Sequence, residues 1–387
     1  MAGASRDESA ELRREIVEVV RRFVAKEVAP VASELERADE YPTALVDQMR
    51  ALGLFGVTIP ERYGGLGLDL VTYVGIIEEL AYGWMSLTGI VNTHTMVATL
   101  LVAHGTEEQK RRWLPAMAAG ERRGALSLSE PDAGSDTRNI SCRAVRDGDV
   151  YVVSGTKAWV TNGERAAIVA LAARTEEGIS ALIVEKEPGP SFEGISVSKH
   201  VGKLGYRGVE TVEMAYVDHR VPVANVVGEA GRGLAQILGV LEVGRINIAA
   251  RACGVARAAF DAALAYAMER TTFGKPIGEH QAIQLKLADM ATKLEASRLL
   301  TTNAAERRAA GLRCDVEAGM AKLFASETAY ELATEAMRIH GGMGYTTELP
   351  VERYYRDAPL MMIGEGTNEI QRLVIARGLL ARAARPG

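Results

Sequence analysis

The sequence predicts an α+β protein: an N-terminal α-helical domain, a middle antiparallel β domain and a C-terminal α-helical bundle. Three observations predict it. Apolar residues recur at helical spacing up to about Gly120 and sit in short β-branched runs from about Gly124 to Asp218. From Gly233 a long Ala-rich helical pattern takes over. The expected domains are 1–122, 123–232 and 233–387, with no low-complexity spacer between them, so packed domains are expected.

In the first segment, Leu12, Ile16, Val19, Val20, Phe23, Val24 and Val28 form one apolar helix face opposite Arg and Glu. Further helices are expected around Pro42–Leu54, Leu70–Tyr82 and Val91–His104, with the loop IPERYGGLGLD between the first two. The middle segment reads as strands in YVVSGTKAWVT, AAIVALAAR, ISALIVEK and TVEMAYVDHRVP, broken by Gly, Asn and Asp. In the last, LAQILGVLEVGRINIAARACGVARAAFDAALAYAMER reads as one long helix, and another is expected from about Val316 to His340.

The chain has 387 residues, 48% hydrophobic and 25% charged, the composition of an ordinary globular protein. A net charge of -5 and 5% aromatics give no electrostatic or stacking footprint for nucleic acid. Cys142, Cys253 and Cys314 form neither a disulfide framework nor a CxxC spacing. The six histidines show no metal-binding pattern, so no metal is expected. The N-terminal MAGASRDESAELRRE lacks the apolar core of a signal peptide. No run of about 18 uncharged apolar residues occurs, so no membrane span is expected. A reduced, cytoplasmic protein is the expectation.

In MMIGEGTNEIQR the apolar run Met361, Met362, Ile363 leads into Glu365 between Gly364 and Gly366. Such a carboxylate is either the point where the chain meets water or a base in a dry niche. IHGGMGY lacks dinucleotide spacing and by itself reads as a helix-ending turn. LSLSEPDAGSDT and GTKAWVTNG are hydroxyl- and glycine-rich loops beside strands, suited to turns or to holding phosphate or carbonyl groups. In ERTTFGKPIGEHQA, Arg270, Thr272 and Lys275 follow a helix, where cations complement the macrodipole or fork onto a pyrophosphate. Arg245 stands among apolar neighbours, where a snorkelling arginine is common.

These stretches, with IPERYGGLGLD and KLGYRGVET, stand in the order and spacing of the acyl-CoA dehydrogenase family, and the resemblance spans nearly the whole chain. It implies FAD extended between the middle and last domains. Leu126, Leu128 and Ser129 would meet the flavin's polar edge, Trp159 would lie against the ring, and Thr161 would bond near N5. Arg270, Thr272 and Phe273, with His280 and Gln281 nearby, would reach the FAD of a neighbouring subunit. Arg338, Gly341, Gly342, Thr367 and Glu369 match further FAD contacts, and Ser135, Glu242, Arg245 and Gly366 match substrate contacts. The resemblance makes Glu365 the base that removes the α-proton of an acyl-CoA thioester as the flavin takes a β-hydride. Electrons would pass to an electron-transfer flavoprotein, and the assembly would be a homotetramer built as a dimer of dimers.

Some family members place the base directly before the residue matching Arg245; here that position is Gly244. Arg338 replaces a common Gln, Val209 a small hydroxyl residue, and Gly364 a bulkier residue, which together with Gly244 suggests room for short branched or medium acyl chains. An acyl-CoA oxidase, a flavin-dependent monooxygenase of the same fold, and a degenerate member kept for binding are the rival readings.

Overall fold

The computed structural model describes residues 6–384; the first five residues, which entered the signal-peptide argument, lie outside them. The N-terminal segment comprises α1 (Arg6–Phe23), α2 (Ala32–Ala38), α3 (Thr43–Ala51), α4 (Leu70–His104) and α5 (Glu107–Ala118). Asp69 caps α4 by accepting the Thr72 N–H at 2.7 Å. Thr106 and Gln109 close a capping box on α5.

Two helices expected between Leu70 and His104 are joined as α4, with extended backbone at Trp84 (φ -159°, ψ 110°) marking the break between them. The apolar run continues through the break, so its periodicity does not announce it. Both α4 and α6 (Gly233–Glu269) are long and apolar enough to cross a membrane, which the search for uncharged runs overlooked. Their most apolar windows are 89% and 61% buried within the protein, so both serve as core helices.

The middle segment holds β1 (Gly124–Ser127), β2 (Arg143–Asp147), β3 (Val150–Thr161), β4 (Ile168–Thr175), β5 (Gly178–Glu185), β6 (Ser191–Phe192), β7 (Ile195–Val197) and β8 (Thr211–Pro222). The sheet runs β1-β4-β2-β3-β8-β7-β6, with β5 on β4. It is mixed rather than wholly antiparallel, because β1 and β2 both pair parallel to β4. The segment between β1 and β2 carries the Pro/Asp/Gly loop that returns the chain in the same direction.

Past α6 come a small hairpin, β9 (Thr271–Thr272) with β10 (Lys275–Pro276), and then α7 (Gln281–Ala309), α8 (Asp315–His340), α9 (Val351–Ile363) and α10 (Asn368–Ala383). Alanines line the buried faces of α6 and α8, letting the two helix backbones approach closely. One apolar core joins the N-terminal helices to this bundle, and a second joins α4 and α5 to the sheet and the start of α6. At their meeting, Glu79 of α4 takes a bidentate bond from Arg257 at 2.9 and 2.6 Å and another from Arg21 at 2.9 Å.

Candidate active site

Glu365 stands in the turn between α9 and α10. Gly364 ends α9 by donating to Leu360 O at 2.8 Å, and Thr367 begins α10 by accepting from Ile370 N–H at 3.4 Å. Between them Glu365 is left-handed (φ 56°) and Gly366 has φ 83°. A non-glycine residue there costs on the order of 1–3 kcal/mol and persists only where its surroundings hold it. The holders are Lys322 of α8 and Gln371. Buried Lys322 donates to Met362 O at 3.2 Å, Gly366 O at 3.0 Å and Asn368 Oδ1 at 2.7 Å. Gln371 Nε2 donates to the carbonyls of Glu365 at 3.2 Å and Gly366 at 3.0 Å. Gly366 is therefore a backbone requirement as well as clearance, whereas Gly364 is unstrained, and a Cβ there would meet only Leu360 O at 3.4 Å.

The Glu365 side chain turns inward between α4 and α6. Asn92 Nδ2 donates to Oε1 at 3.1 Å. A Cβ on Gly244 would lie 2.7 Å from Oε2 and 3.4 Å from Met96 Sδ. Positions 244 and 365 thus address one volume, which a side chain from only one of them can fill. Burial pushes the Glu365 carboxyl above its ordinary value, against the opposing pull of Arg251, Asn92, Arg245 and Lys322. Burial also draws the Lys322 ammonium down to about 8. Gly244→Ala is expected to push the carboxylate off Asn92 Nδ2 and to cost about 1–3 kcal/mol of stability through overpacking, which equilibrium denaturation checks.

Trp159 faces out. A register shift in the β3–β8 pairing between Lys157 and Val160, with φ 60° at Trp159, turns the indole away from the core and leaves it 64% exposed. An isolated Trp in a strand is usually core, and this one instead presents an exposed indole. Lys157, next but one, points inward and donates to Leu128 O and Glu130 Oε1, both at 2.9 Å. That pair joins the Leu126–Ser129 and Trp159–Thr161 stretches, as does the Ala158 N–H to Ser129 O bond at 2.9 Å. Asn162 ties the same strand end to Ile90 O of α4 at 2.9 Å. The Leu126 N–H is taken by Thr93 Oγ1 at 3.0 Å. Burial pushes the Tyr206 phenol up, with Arg251, Thr161 and Glu365 among the smaller influences on it.

Arg245 is buried rather than snorkelling, with its Nε unpartnered, and burial lowers its ordinary pKa. Glu242, one turn earlier, sits 3.6 Å from Arg308 and accepts from Cys314 Sγ at 3.5 Å. Ser135 is exposed in the loop after β1. The Thr367 hydroxyl is occupied as a helix cap, and Glu369 is exposed in the first turn of α10, 4.0 Å from Arg372.

A second group lies elsewhere. Arg270, Thr272 and Phe273 sit on the turn after α6, with His280 Nε2 3.4 Å from Thr272 Oγ1 and Gln281 beside it. Tyr266 stacks on His340 at 4.3 Å, placing the α8 end with Arg338, Gly341 and Gly342 against the same region. Arg338 pairs with Glu335, and Gly341 (φ 59°) has the backbone only glycine takes easily. Gly244 and Arg270 are about 26 residues apart along α6, roughly 39 Å. One chain does not bring the two groups together.

Asn92, Lys322, Lys157, Glu130, Tyr206 and Arg251 were not singled out from the sequence. Polar residues inside apolar runs were their signal: Asn92 in GIVNTHTMV, and Lys322 among the buried alanines of α8.

Among known proteins, the acyl-CoA dehydrogenase N-terminal domain matches residues 10–121, the middle domain 125–218 and the C-terminal domain 231–380. The chain belongs to the acyl-CoA dehydrogenase family. These acyl-CoA dehydrogenases are oxidoreductases, and the fold expectation of helical, β and helical domains holds. The short-chain specific mitochondrial acyl-CoA dehydrogenase of Bos taurus is 41% identical, over 96% of this chain and 91% of its own. Butyryl-CoA dehydrogenase from Megasphaera elsdenii superposes with a TM-score of 0.92 at 35% identity, covering 98% of this chain and 100% of that one. A chain in the structure described as "Electron transferring flavoprotein of Acidaminococcus fermentans: Towards a mechanism of flavin-based electron bifurcation" gives a TM-score of 0.91 at 37% identity, covering 98% and 99%.

Proposed function

We propose that this acyl-CoA dehydrogenase oxidises a short acyl-CoA thioester to its trans-2-enoyl form, with Glu365 as the base that takes the α-proton. The observation that carries it is the Glu365 carboxylate itself: pinned in a left-handed turn, pressed toward Gly244, and made more basic by burial. FAD, when bound, supplies the two-electron acceptor for the β-hydride. The outward Trp159 suits the flat face of a flavin, and with the Leu126 N–H and the Leu128 and Ser129 carbonyls already bonded, the Ser129 and Thr161 hydroxyls are the polar groups left for its edge.

Each residue's part follows from its place. Lys322 and Gln371 fix the backbone from which Glu365 reaches the substrate, and Asn92 orients the carboxylate. The backbone N–H of Glu365 is a candidate donor to the thioester carbonyl, where charge develops as the proton leaves. Arg245, with Glu242 and Ser135, belongs to the CoA side.

The roughly 39 Å of helix between Gly244 and Arg270 supports an assembled site. Arg270, Thr272, Phe273, His280, Gln281, Arg338, Gly341 and Gly342 would complete the FAD site of a neighbouring subunit, in a homotetramer built as a dimer of dimers. Support comes from Phe273, 97% exposed at the tip of its turn, and from exposed Met268, Leu285 and Tyr345. An electron-transfer flavoprotein is the proposed acceptor, a reading supported by the flavoprotein-associated structural likeness.

The test is anaerobic incubation of the yellow protein with butyryl-CoA, following flavin absorbance and product mass, then turnover with an electron-transfer flavoprotein or with oxygen alone. Bleaching with crotonyl-CoA formation, and turnover with the carrier, are expected. Turnover with oxygen alone would make the chain an oxidase. A yellow protein that no acyl-CoA bleaches would overturn the proposal.

A further inference from the structure

Two turns beyond Gly244, on the same face of α6, stands Arg251, 2% exposed. Seven helical residues span about 10 Å, and side chains on a helix lean toward its N-terminus, so the guanidinium leans back toward the Glu365 niche. Arg251 Nη2 donates to Asn247 Oδ1 at 3.0 Å, and the guanidinium lies 5.5 Å from the Tyr206 ring centre. Its Nε is buried without a partner. Among the described residues, no carboxylate oxygen lies within 4.0 Å of it. Arg257, less than two turns further on, shows the usual solution, with Glu79 at 2.6 Å and Glu78 at 3.2 Å.

The neighbours of Arg251 are polar as well. Tyr206 is held left-handed (φ 55°), its N–H donating to Asp357 Oδ1 at 2.6 Å. Its hydroxyl uses the room left by Gly89, where a Cβ would overlap it. Gly89 lies one turn before Asn92, the residue that orients Glu365. On the other side, Asn247 Nδ2 donates to the Tyr73 hydroxyl at 2.9 Å. Facing stretches of α4 and α6 therefore carry the Asn92-oriented carboxylate and, further along α6, a polar cluster of Arg251, Tyr206, Asn247 and Tyr73. Glu365 feels the Arg251 charge but makes no ion pair with it, so a wholly apolar acyl end placed there would leave a buried guanidinium without a paired anion, which is costly.

We propose that this cluster receives a carboxylate at the far end of the acyl chain, making short dicarboxylic acid monothioesters of CoA the preferred substrates. Arg251 donates to that carboxylate, with the Tyr206 hydroxyl beside it. The inference rests on the α,β-oxidation proposed above and specifies its substrate class. The chemistry is unchanged: Glu365 takes the α-proton, and the distal carboxylate only binds.

Two measurements test it. In the first, wild-type holoenzyme is reduced anaerobically with glutaryl-CoA and adipyl-CoA, and with butyryl-CoA and hexanoyl-CoA. The diacid thioesters are expected to saturate at lower concentration. In the second, Kd is measured for Glu365→Gln holoenzyme with and without Arg251→Gln. The added change is expected to weaken glutaryl-CoA relative to hexanoyl-CoA about a hundredfold, the scale of losing one partner of a buried charge pair. Arg251→Lys, which keeps the charge, is expected to restore part of the preference and serves if the Gln variant fails to fold. Wild-type reduction by neutral acyl-CoAs alone, or a Kd ratio unmoved by Arg251→Gln, would overturn this inference and leave the oxidation standing. Reduction by neither class would instead overturn the oxidation.

Discussion

Replacing Glu365 with Gln is expected to give a protein that still binds FAD and turns yellow, but whose bleaching by butyryl-CoA slows by about 10³- to 10⁴-fold, the usual worth of a positioned general base. Gln fills the same volume and can still meet Asn92 Nδ2, 3.1 Å from Oε1 in the native chain. What it lacks is a proton-accepting oxygen. Because burial raises the Glu365 pKa, the wild-type rate should fall as pH drops through a value above the ordinary 4.5. The variant should show no such limb in a pH series of single-turnover bleaching. The same shift has a stability consequence of opposite sense. Between 4.5 and the raised value, the folded state holds a proton that the unfolded chain has released, so stability falls as pH rises through that window and the cost persists above it. Glu365→Gln removes this cost. Its Tm should therefore exceed the wild-type Tm by more at pH 8 than at pH 4, which parallel thermal melts measure.

Lys157→Met is expected to cost about 3–5 kcal/mol, the penalty for removing one partner of a buried ion pair. Lys157 and Glu130 meet at 2.9 Å with side chains 0% and 4% exposed. Burial works against the Glu130 charge, but donors from Ser141, Lys157 and Cys142 outweigh it and hold the carboxyl below its usual range. Without Lys157 the carboxylate keeps Ser141 and Cys142, at 2.6 and 2.9 Å, but loses its countercharge. The Leu128 carbonyl loses its donor as well. Since the same pair joins the two stretches proposed to face the flavin, the variant should both melt earlier and release FAD more readily. Equilibrium denaturation and the flavin-to-protein absorbance ratio after gel filtration check the two effects. A variant that melts like wild type and keeps its flavin would remove Lys157 from the account of the site.

The three-segment fold was legible because periodicity is local: seven apolar residues on α1, alternation in β3 and β8, and alanines along α6 each declare their element within a short window. The parallel pairing of β1 with β4 was not, since it depends on which distant strand lies beside β1. Nor was the break at Trp84, where the chain is apolar on both sides. At the site, Glu365 was legible through its motif and its flanking glycines. Apart from Gly244, its setting was not, because Asn92, Lys322 and Arg251 reach it from three helices far apart in sequence. Trp159 shows the limit most clearly. Strand alternation points such a residue at the core or at water by position alone, and only the irregular register with β8 decides that it faces out.

The central claim is that Glu365 removes an α-proton as the β-hydride leaves the thioester. Stopped-flow bleaching of wild-type holoenzyme by butyryl-CoA deuterated at C2, at C3, or at both tests it most directly. The account predicts that each label slows bleaching and that the double label slows it further. Bleaching that ignores deuterium at C2 would contradict it, because no base would then be taking that proton in the step that reduces the flavin.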